Sequence, residues 1–396
     1  MKQLFLFTAS YPFGNTESFL EDEIHYLSSS FEKVIIVPLI GSNIQTREVP
    51  DNCIVYSPIV QSKLSQYTKG LFSIRALPVF IEDFFSKKVY RNTRSIKTWF
   101  IAYILSSNIL KATHVREIFK KINSNDICYF YWGKGANVLS FFYKGKAKFV
   151  SRFHGEWDLW EETSGGYGPI RDKIANSLDR IVLISQKGKL YFDNKYPGHN
   201  TIVCRLGSKD YGIKRLKSED KIHVVSCSTV YPLKRVPLIY ESVKELANDG
   251  YHVCWTHLGG GPNFEELKDL IERRTIPNLE CTLIGNVSHN RVMDFYCKNS
   301  CDVFINMSTN EGVPVSIMEA ISFDIPIVAT NVGGTSEVVT SETGVLVGKN
   351  PLPTEVANAI KSILNNLEHY APRSFWLKYY NADINYANFS KLLAEL

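Results

Sequence analysis

The feature that most restricts the fold is a repeated alternation. Short strand-like apolar runs are separated, all along the chain, by segments with helical periodicity. In the first half the runs are residues 4–9 (LFLFTA), 34–40 (VIIVPLI), 127–132 (ICYFYW), 148–153 (KFVSRF) and 180–185 (RIVLIS). In the second half they are 222–228 (IHVVSCS), 252–258 (HVCWTHL), 279–285 (LECTLIG), 302–308 (DVFINMS) and 326–330 (PIVAT). Helices are predicted over 17–27, 236–247, 264–273, 290–297, 316–321 and 355–367, with one or two more in 374–396. A strand that is apolar on successive residues has no face for water. Its sheet is therefore parallel and covered by helices on both sides.

At 396 residues the chain is too long for one ordinary core. The two series predict an α/β protein of two doubly wound Rossmann-like domains. A polar, aperiodic stretch separates them. We place the first domain at 1–206, a linker at 207–220, the second domain at 221–373 and terminal helices at 374–396. Ligands bind beyond the carboxyl ends of such strands. Two domains facing a central cleft would put the chemistry there.

Composition removes several classes. Hydrophobic residues are 44% and charged residues 21%, which is ordinary globular usage. No run of 18 apolar residues occurs, so no membrane-spanning helix is predicted. Met1–Thr8 reads as a buried strand, too short in its apolar part for a signal peptide. The eight cysteines are scattered without a CxxC pair, so no metal site is expected. They read as buried free thiols of a reducing compartment, giving a cytoplasmic expectation.

The formal net charge of +5 is unevenly spread. Residues 61–125 hold twelve Lys/Arg against Glu82, Asp83 and Glu117, a net of +9, leaving −4 for the rest of the chain. Eight aromatic residues, Phe72 to Tyr103, are interleaved with these bases. Two readings stay open: a solvated helical face with its aromatics packed inward, or a patch suited to an anionic membrane surface. Nucleic acid is not expected as a partner, because no recognition-helix, RRM or KH pattern accompanies the charge.

The most informative stretch is 310–337, NEGVPVSIMEAISFDIPIVATNVGGTSE. Asn310-Glu311-Gly312 turns after a strand, and Pro314 suits a first helical position. Exposed amides at such a helix start attract an anion. Glu311 and Glu319 can both reach one pocket, and a carboxylate accepts two hydroxyls of a diol. Phosphate on amides between two acids describes a nucleotide-sugar site. Gly333-Gly334 would let the backbone turn tightly beside the ligand, and Glu337 would start the next helix.

EGVPVSIMEA is similar to the E-x7-E segment of the retaining family-4 glycosyltransferases of the GT-B fold. Residues 226–246 (SCSTVYPLKRVPLIYESVKEL) resemble that family's first donor-domain strand, loop and helix. Leu258-Gly259-Gly260-Gly261-Pro262 resembles its Gly-Pro turn, and Leu283-Ile284-Gly285-Asn286-Val287 its base-recognition loop. Trp376, Asn385, Tyr386 and Phe389 resemble its helices that cross back to the first domain. In the first half, Thr16-Glu17-Ser18-Phe19-Leu20 resembles the "ETF" helix start of members that extend bacterial surface polysaccharides, whether capsule or lipopolysaccharide. Arg152-Phe153-His154-Gly155 resembles the His loop, and Tyr167-Gly168-Pro169-Ile170-Arg171 an acceptor-side segment.

The resemblance implies roles. Lys234 would stabilise the departing diphosphate, Glu311 would bind donor-sugar hydroxyls and Glu319 the ribose. The amides of Gly312, Val313, Pro314-Val315 and Ser316 would hold phosphate or sugar oxygens, with Asn286 and Val287 against the base. Thr229 stands where the family often has Arg, so Arg235 or Arg205 is the alternative second cation. Gly14 would bring backbone close to the diphosphate, although Asn15 replaces a second glycine. His154 would lie near the reacting centre. Glu17 and Arg171 are weaker acceptor-side candidates, and Gln186 and Lys187 weaker still.

The implied reaction is retaining transfer of a hexosyl unit from a nucleotide diphosphate sugar, UDP by default, to a glycan or polyprenyl-linked acceptor. No D-x-D pair is present, so neither a metal nor a cofactor is expected. A peripheral position at the inner membrane face would suit such an acceptor. An epimerase or sugar-phosphate phosphorylase of the same fold and a non-catalytic nucleotide-sugar-binding subunit are the competing readings. A dinucleotide oxidoreductase is disfavoured, since no G-x-G-x-x-G follows the first strand.

Overall fold

The computed structural model describes residues 2–14, 17, 19–42, 44–61, 73–155, 158–212, 220–273 and 276–396. Residues 213–219 of the expected linker lie outside the described residues, as do Thr16 and Ser18 of the helix-start segment and Lys63, Lys69 and Phe72 of the basic stretch. The chain divides into two compact units, Met1–Arg205 with Ile384–Leu396, and Leu206–Asp383.

The first unit holds, among the described residues, a seven-stranded parallel sheet in the order β3-β2-β1-β4-β5-β6-β7. Its strands are β1 Gln3–Thr8, β2 Lys33–Pro38, β3 Cys53–Val55, β4 Ile127–Phe130, β5 Lys148–Phe153, β6 Arg180–Leu183 and β7 Thr201–Val203. Alternation along each strand feeds two cores. Phe5, Phe7, Ile35, Val37, Cys128 and Phe130 join a cluster with helices Ala76–Ser86, Thr93–Lys111 and Thr113–Lys121. Leu4, Leu6, Val34, Ile36, Ile127 and Tyr129 join the opposite cluster with helix Leu20–Ser30 and with Phe389 and Leu393. Both faces are covered, which is why these strands read as continuous apolar runs.

The second unit's sheet has six described parallel strands in the order β10-β9-β8-β11-β12-β13. They are β8 Ile222–Cys227, β9 Val253–Leu258, β10 Leu279–Gly285, β11 Val303–Asn306, β12 Ile327–Thr330 and β13 Gly344–Val347. Helix Val236–Asn248 buries Val236, Ile239, Tyr240, Val243, Leu246 and Ala247, a helical stripe against this sheet. Helices Phe264–Glu272, His289–Lys298, Val315–Ser322, Pro353–Leu364 and Pro372–Tyr379 complete the unit.

Three strands absent from the sequence reading, β3, β7 and β13, are three or four residues long and stand at sheet edges. An edge strand of that length carries too little pattern to be read. The first helix begins at Leu20 rather than residue 17, because Glu17 sits at φ 62° and its carboxylate is occupied elsewhere. Pro314 is the N-cap of Val315–Ser322, one position ahead of the expected first turn, and Glu337 ends a short 3-10 turn rather than starting an α-helix. Helix Pro372–Tyr379 stays with the second unit. There the Trp376 indole donates to Ser208 Oγ at 2.8 Å, and the Arg373 guanidinium bonds the Ser322 carbonyl and Asp210. Only the residues from Ile384 on group with the first unit. All eight cysteines are free thiols, but only Cys128 and Cys301 are buried, the others being half-buried.

Candidate functional site

Strand order reverses between β8 and β11, so the loops leaving their carboxyl ends diverge and open a crevice. The loop after β8 ends in the 3-10 turn Pro232–Lys234, and the loop after β11 carries Glu311. A backbone bond from Thr309 N to Leu233 O, 2.9 Å, ties the two loops together. Lys234 Nζ then lies 2.5 Å from Glu311 Oε1. The same oxygen accepts Ser308 Oγ at 2.6 Å and Asn306 Nδ2 at 3.4 Å. Glu311 is 7% exposed, so the ion pair sits in a site with little water to screen it.

Gly333 explains how the Glu311 loop is held. Its φ is +50°, and a Cβ there would fall 1.7 Å from Glu311 O. Gly334 N donates to Gly312 O at 2.7 Å, fixing the turn that leads into helix Val315–Ser322. No side chain caps this helix start. Amides of its first turn lack intrahelical acceptors and can serve an anion.

Glu319, in the second turn of that helix, is buried, and its Oε1 lies 2.9 Å from His289 Nε2. Glu319 and Lys234 both act on the Cys227 thiol at the end of β8. Burial first, and then Glu319, push that thiol up to about 12 against the opposing Lys234. Acid and base thus converge on one strand end. Gly260 N donates to Asn286 Oδ1 at 3.1 Å, which sets Asn286 and the adjoining half-buried Val287 beside the glycine turn after β9.

Arg235, an alternative second cation in the sequence analysis, is engaged by backbone carbonyls. Its guanidinium donates to the carbonyls of Met307 (2.6 Å), Ser308 (3.2 Å) and Lys349 (2.9 Å), so it stitches the loops of the site. Thr229 is exposed beside the Gly261 turn.

In the first unit the order reverses between β1 and β4. Gly14, exposed at φ +72°, lies in the loop after β1 and accepts Thr46 Oγ1 at 2.9 Å. His154 follows β5 and is 9% exposed, with its Nδ1 3.5 Å from Asp158 Oδ2. Its ring rests on Trp132 and Tyr131, centroids 4.4 and 4.8 Å away. Asp158, which the sequence reading did not single out, holds this loop. Its carboxylate accepts the N–H groups of Gly133 (3.0 Å), His154 (3.0 Å) and Gly155 (2.8 Å). Burial works to raise the Asp158 carboxyl, but His154 and these amides outweigh it and hold it below the usual carboxylate value.

Glu17 accepts the amides of Ala9 (2.9 Å), Ser10 (2.6 Å) and Tyr11 (2.7 Å) and the Trp132 indole (2.6 Å), so its carboxylate organises the loop after β1. Arg171 is buried and donates to the carbonyls of Leu159 (2.9 Å) and Asp158 (2.6 Å). Gln186 opens helix Gln186–Lys195, whose cap is Ser185 Oγ accepting Gly188 N at 3.0 Å; Lys187 is its second residue. Asp158, Ser308 and His289 had no signal beyond being short polar or aromatic residues near strand ends.

Two doubly wound parallel sheets with their polar residues gathered at strand carboxyl ends are the architecture of GT-B glycosyltransferases. Over 100% of this chain and 99% of the other, the fold is similar to sucrose-phosphate synthase from Thermosynechococcus elongatus, with a TM-score of 0.69 at 13% identity. It is also similar to Anabaena HepE in complex with UDP, TM-score 0.67 and 16% identity over 100% of both chains. The lipopolysaccharide outer core galactosyltransferase WaaB gives 0.66 and 14% over 100% of both chains. Residues 209–373 match the family model described as Glycosyl transferases group 1. Among curated relatives, the GPI3 subunit of phosphatidylinositol N-acetylglucosaminyltransferase from Saccharomyces cerevisiae (strain RM11-1a) is 30% identical over 131 residues, 33% of this chain and 28% of that one. Protein CapJ of Staphylococcus aureus is 29% identical over 160 residues, 39% of this chain and 40% of that one. The chain therefore matches less than half the length of these relatives.

Proposed function

We propose that the protein is a retaining glycosyltransferase that moves a hexosyl unit from a UDP-sugar to a hydroxyl of a glycan or polyprenyl-linked acceptor in bacterial surface-polysaccharide synthesis. The observation that carries this reading is the Lys234–Glu311 pair set against the uncapped start of helix Val315–Ser322 at the strand-order reversal. A fixed cation and main-chain donors there would stabilise the charge that develops on the departing diphosphate. Glu311 would hold hydroxyls of the transferred sugar, Glu319 the ribose, and Asn286 and Val287 the base. In this reading His154 serves the reacting centre from the first unit, with Asp158 fixing its loop. Similarity in fold to HepE in complex with UDP and to the lipopolysaccharide galactosyltransferase WaaB supports the donor and product classes by analogy.

The test is thermal stabilisation by nucleotides. UDP at a hundred times its Kd should stabilise the fold by about 2.7 kcal/mol. Incubation with a UDP-sugar and acceptor-bearing membranes should then release UDP and label the acceptor. Stabilisation by neither UDP nor GDP would remove the reading.

A non-catalytic nucleotide-sugar-binding subunit is the second reading, favoured by the naming of the yeast relative as a subunit. UDP binding without transfer to any acceptor fraction would select it. A free epimer formed from the UDP-sugar alone would select an epimerase instead.

A further inference from the structure

The basic, aromatic stretch of the first unit folds into a helical hairpin whose outward face has the wrong chemistry for water alone. Helix Ala76–Ser86 buries Ala76, Phe80 and Asp83 on one side. On the opposite side, Ile74, Pro78, Ile81 and Phe85 recur at helical spacing and all are exposed. Ile74 is 93% exposed, Ile81 42% and Phe85 64%. Further exposed apolar side chains follow in the hairpin: Tyr90, 49% exposed, and Ile96, Phe100 and Ile101 on helix Thr93–Lys111. Phe84 links the two parts, its ring 5.4 Å from Phe85 and 6.1 Å from Tyr90. Single exposed apolar side chains are ordinary, but this many on one helical hairpin are not.

The charges around it are one-sided. Lys88, Arg91, Arg94 and Lys97 are exposed at the hairpin's turn and along its second helix. The acids of the same hairpin are otherwise engaged: Asp83 is buried against the Tyr167 hydroxyl and the Ile170 amide, and Glu82 pairs with Lys173 at 2.9 Å. Lys87, one of the twelve bases of this stretch, pairs with Asp172. An apolar row with an unbalanced cationic margin complements an anionic bilayer, whose headgroups take the bases and whose acyl boundary takes the row.

We propose that the hairpin formed by helices Ala76–Ser86 and Thr93–Lys111 is a membrane-insertion face for anionic lipid, with Ile81 and Phe85 entering the acyl boundary. It deepens, and rests on, the lipid-linked acceptor of the preceding reading. The same hairpin is pinned through Asp83, Glu82 and Lys87 to the 167–173 segment, whose Arg171 holds the carbonyls of Asp158 and Leu159. Seating the hairpin on a bilayer would therefore also set how the His154 loop is presented to a lipid-borne acceptor.

The experiment is co-sedimentation of the full chain with vesicles of phosphatidylcholine alone or with 30% phosphatidylglycerol. Wild type should bind the anionic vesicles at least tenfold better than the neutral ones. I81S/F85S should lose tenfold or more on anionic vesicles, because the apolar row is removed. K88Q/R91Q/R94Q should lose on the order of a hundredfold, about fivefold per base, and lose most of its salt dependence. Both variants should keep the wild-type melting temperature and UDP-induced stabilisation, which separates failure of this inference from failure of the donor reading. Three results overturn it: wild type that ignores anionic vesicles, I81S/F85S that binds them like wild type, or a concentration-dependent dimer abolished by I81S/F85S. The last would mean that a second copy covers the row.

Discussion

Lys234 and Glu311 sit 2.5 Å apart, so any anion that takes the lysine also changes the charge balance of a nearly buried carboxylate. Under the proposed mechanism, Lys234→Ala removes the cation that meets the leaving diphosphate. We expect kcat to fall on the order of a hundredfold or more, read as UDP released per minute at saturating donor. Gly333 makes a second prediction at this scale. A methyl there would meet Glu311 O at 1.7 Å from a backbone at φ +50°. Gly333→Ala should displace the Glu311 loop and weaken UDP binding at least tenfold, with a smaller effect on the melting temperature; equal nucleotide shifts for variant and wild type would contradict it. The two acids could be singled out from the sequence because they share one turn and helix start, whereas Lys234, 77 residues before Glu311, was singled out only by the resemblance of its segment. The engagement of Arg235 could not be read in either way. Its φ of 48° and its bonds to carbonyls 72 to 114 residues away depend on where the loops after β11 and β13 meet.

Among the elements, β9 carries a titrating group at its core. His257 is fully buried, its Nδ1 is 2.8 Å from Ser226 Oγ, and burial pulls its pKa from 6.5 down to about 4. The unfolded chain therefore takes up a proton below about 6.5 that the folded chain refuses. Stability from this group is complete above that value and falls as pH drops toward 4. Between pH 7 and pH 5 the loss should be about 2 kcal/mol, measured as a shift in urea midpoint. His257→Gln should flatten that slope. Asp158, whose carboxyl is held low, adds nothing to it, because it stays ionised in both states over this interval and loses its contribution only in stronger acid. Element placement was mostly readable, since strands buried on both faces leave unbroken apolar runs. The edge strands β3, β7 and β13 escaped because their register is set by a neighbouring strand, not by their own residues.

For the molecule, the last segment is part of the first unit's core. Tyr386, Phe389 and Leu393 are at most 1% exposed. The Phe389 ring lies 4.0 Å from the Arg152 guanidinium, which is itself buried and 2.6 Å from Glu23. Removing residues 384–396 should cost roughly 5 kcal/mol from apolar burial alone, and it would open a buried ion pair to water. We expect hydrogen exchange in β4 and β5 to lose its protection in that truncation, while strands of the second unit keep theirs. Unchanged exchange in β4 and β5 would show that the unit is complete without this segment.

The two α/β units and the residue types at the strand ends are legible in one dimension, because burial on both sheet faces and turn chemistry are written in short windows of residues. Tertiary structure alone decided which of those side chains are engaged. Glu17 and Arg235 look like ligand groups in one dimension, yet amides of its own loop occupy Glu17 and carbonyls of distant loops occupy Arg235. It also turned a diffuse excess of bases and aromatics into one face. Whether Phe80 or Phe85 meets water depends on which side of a helix packs on the sheet, and that is settled by contacts made across the fold.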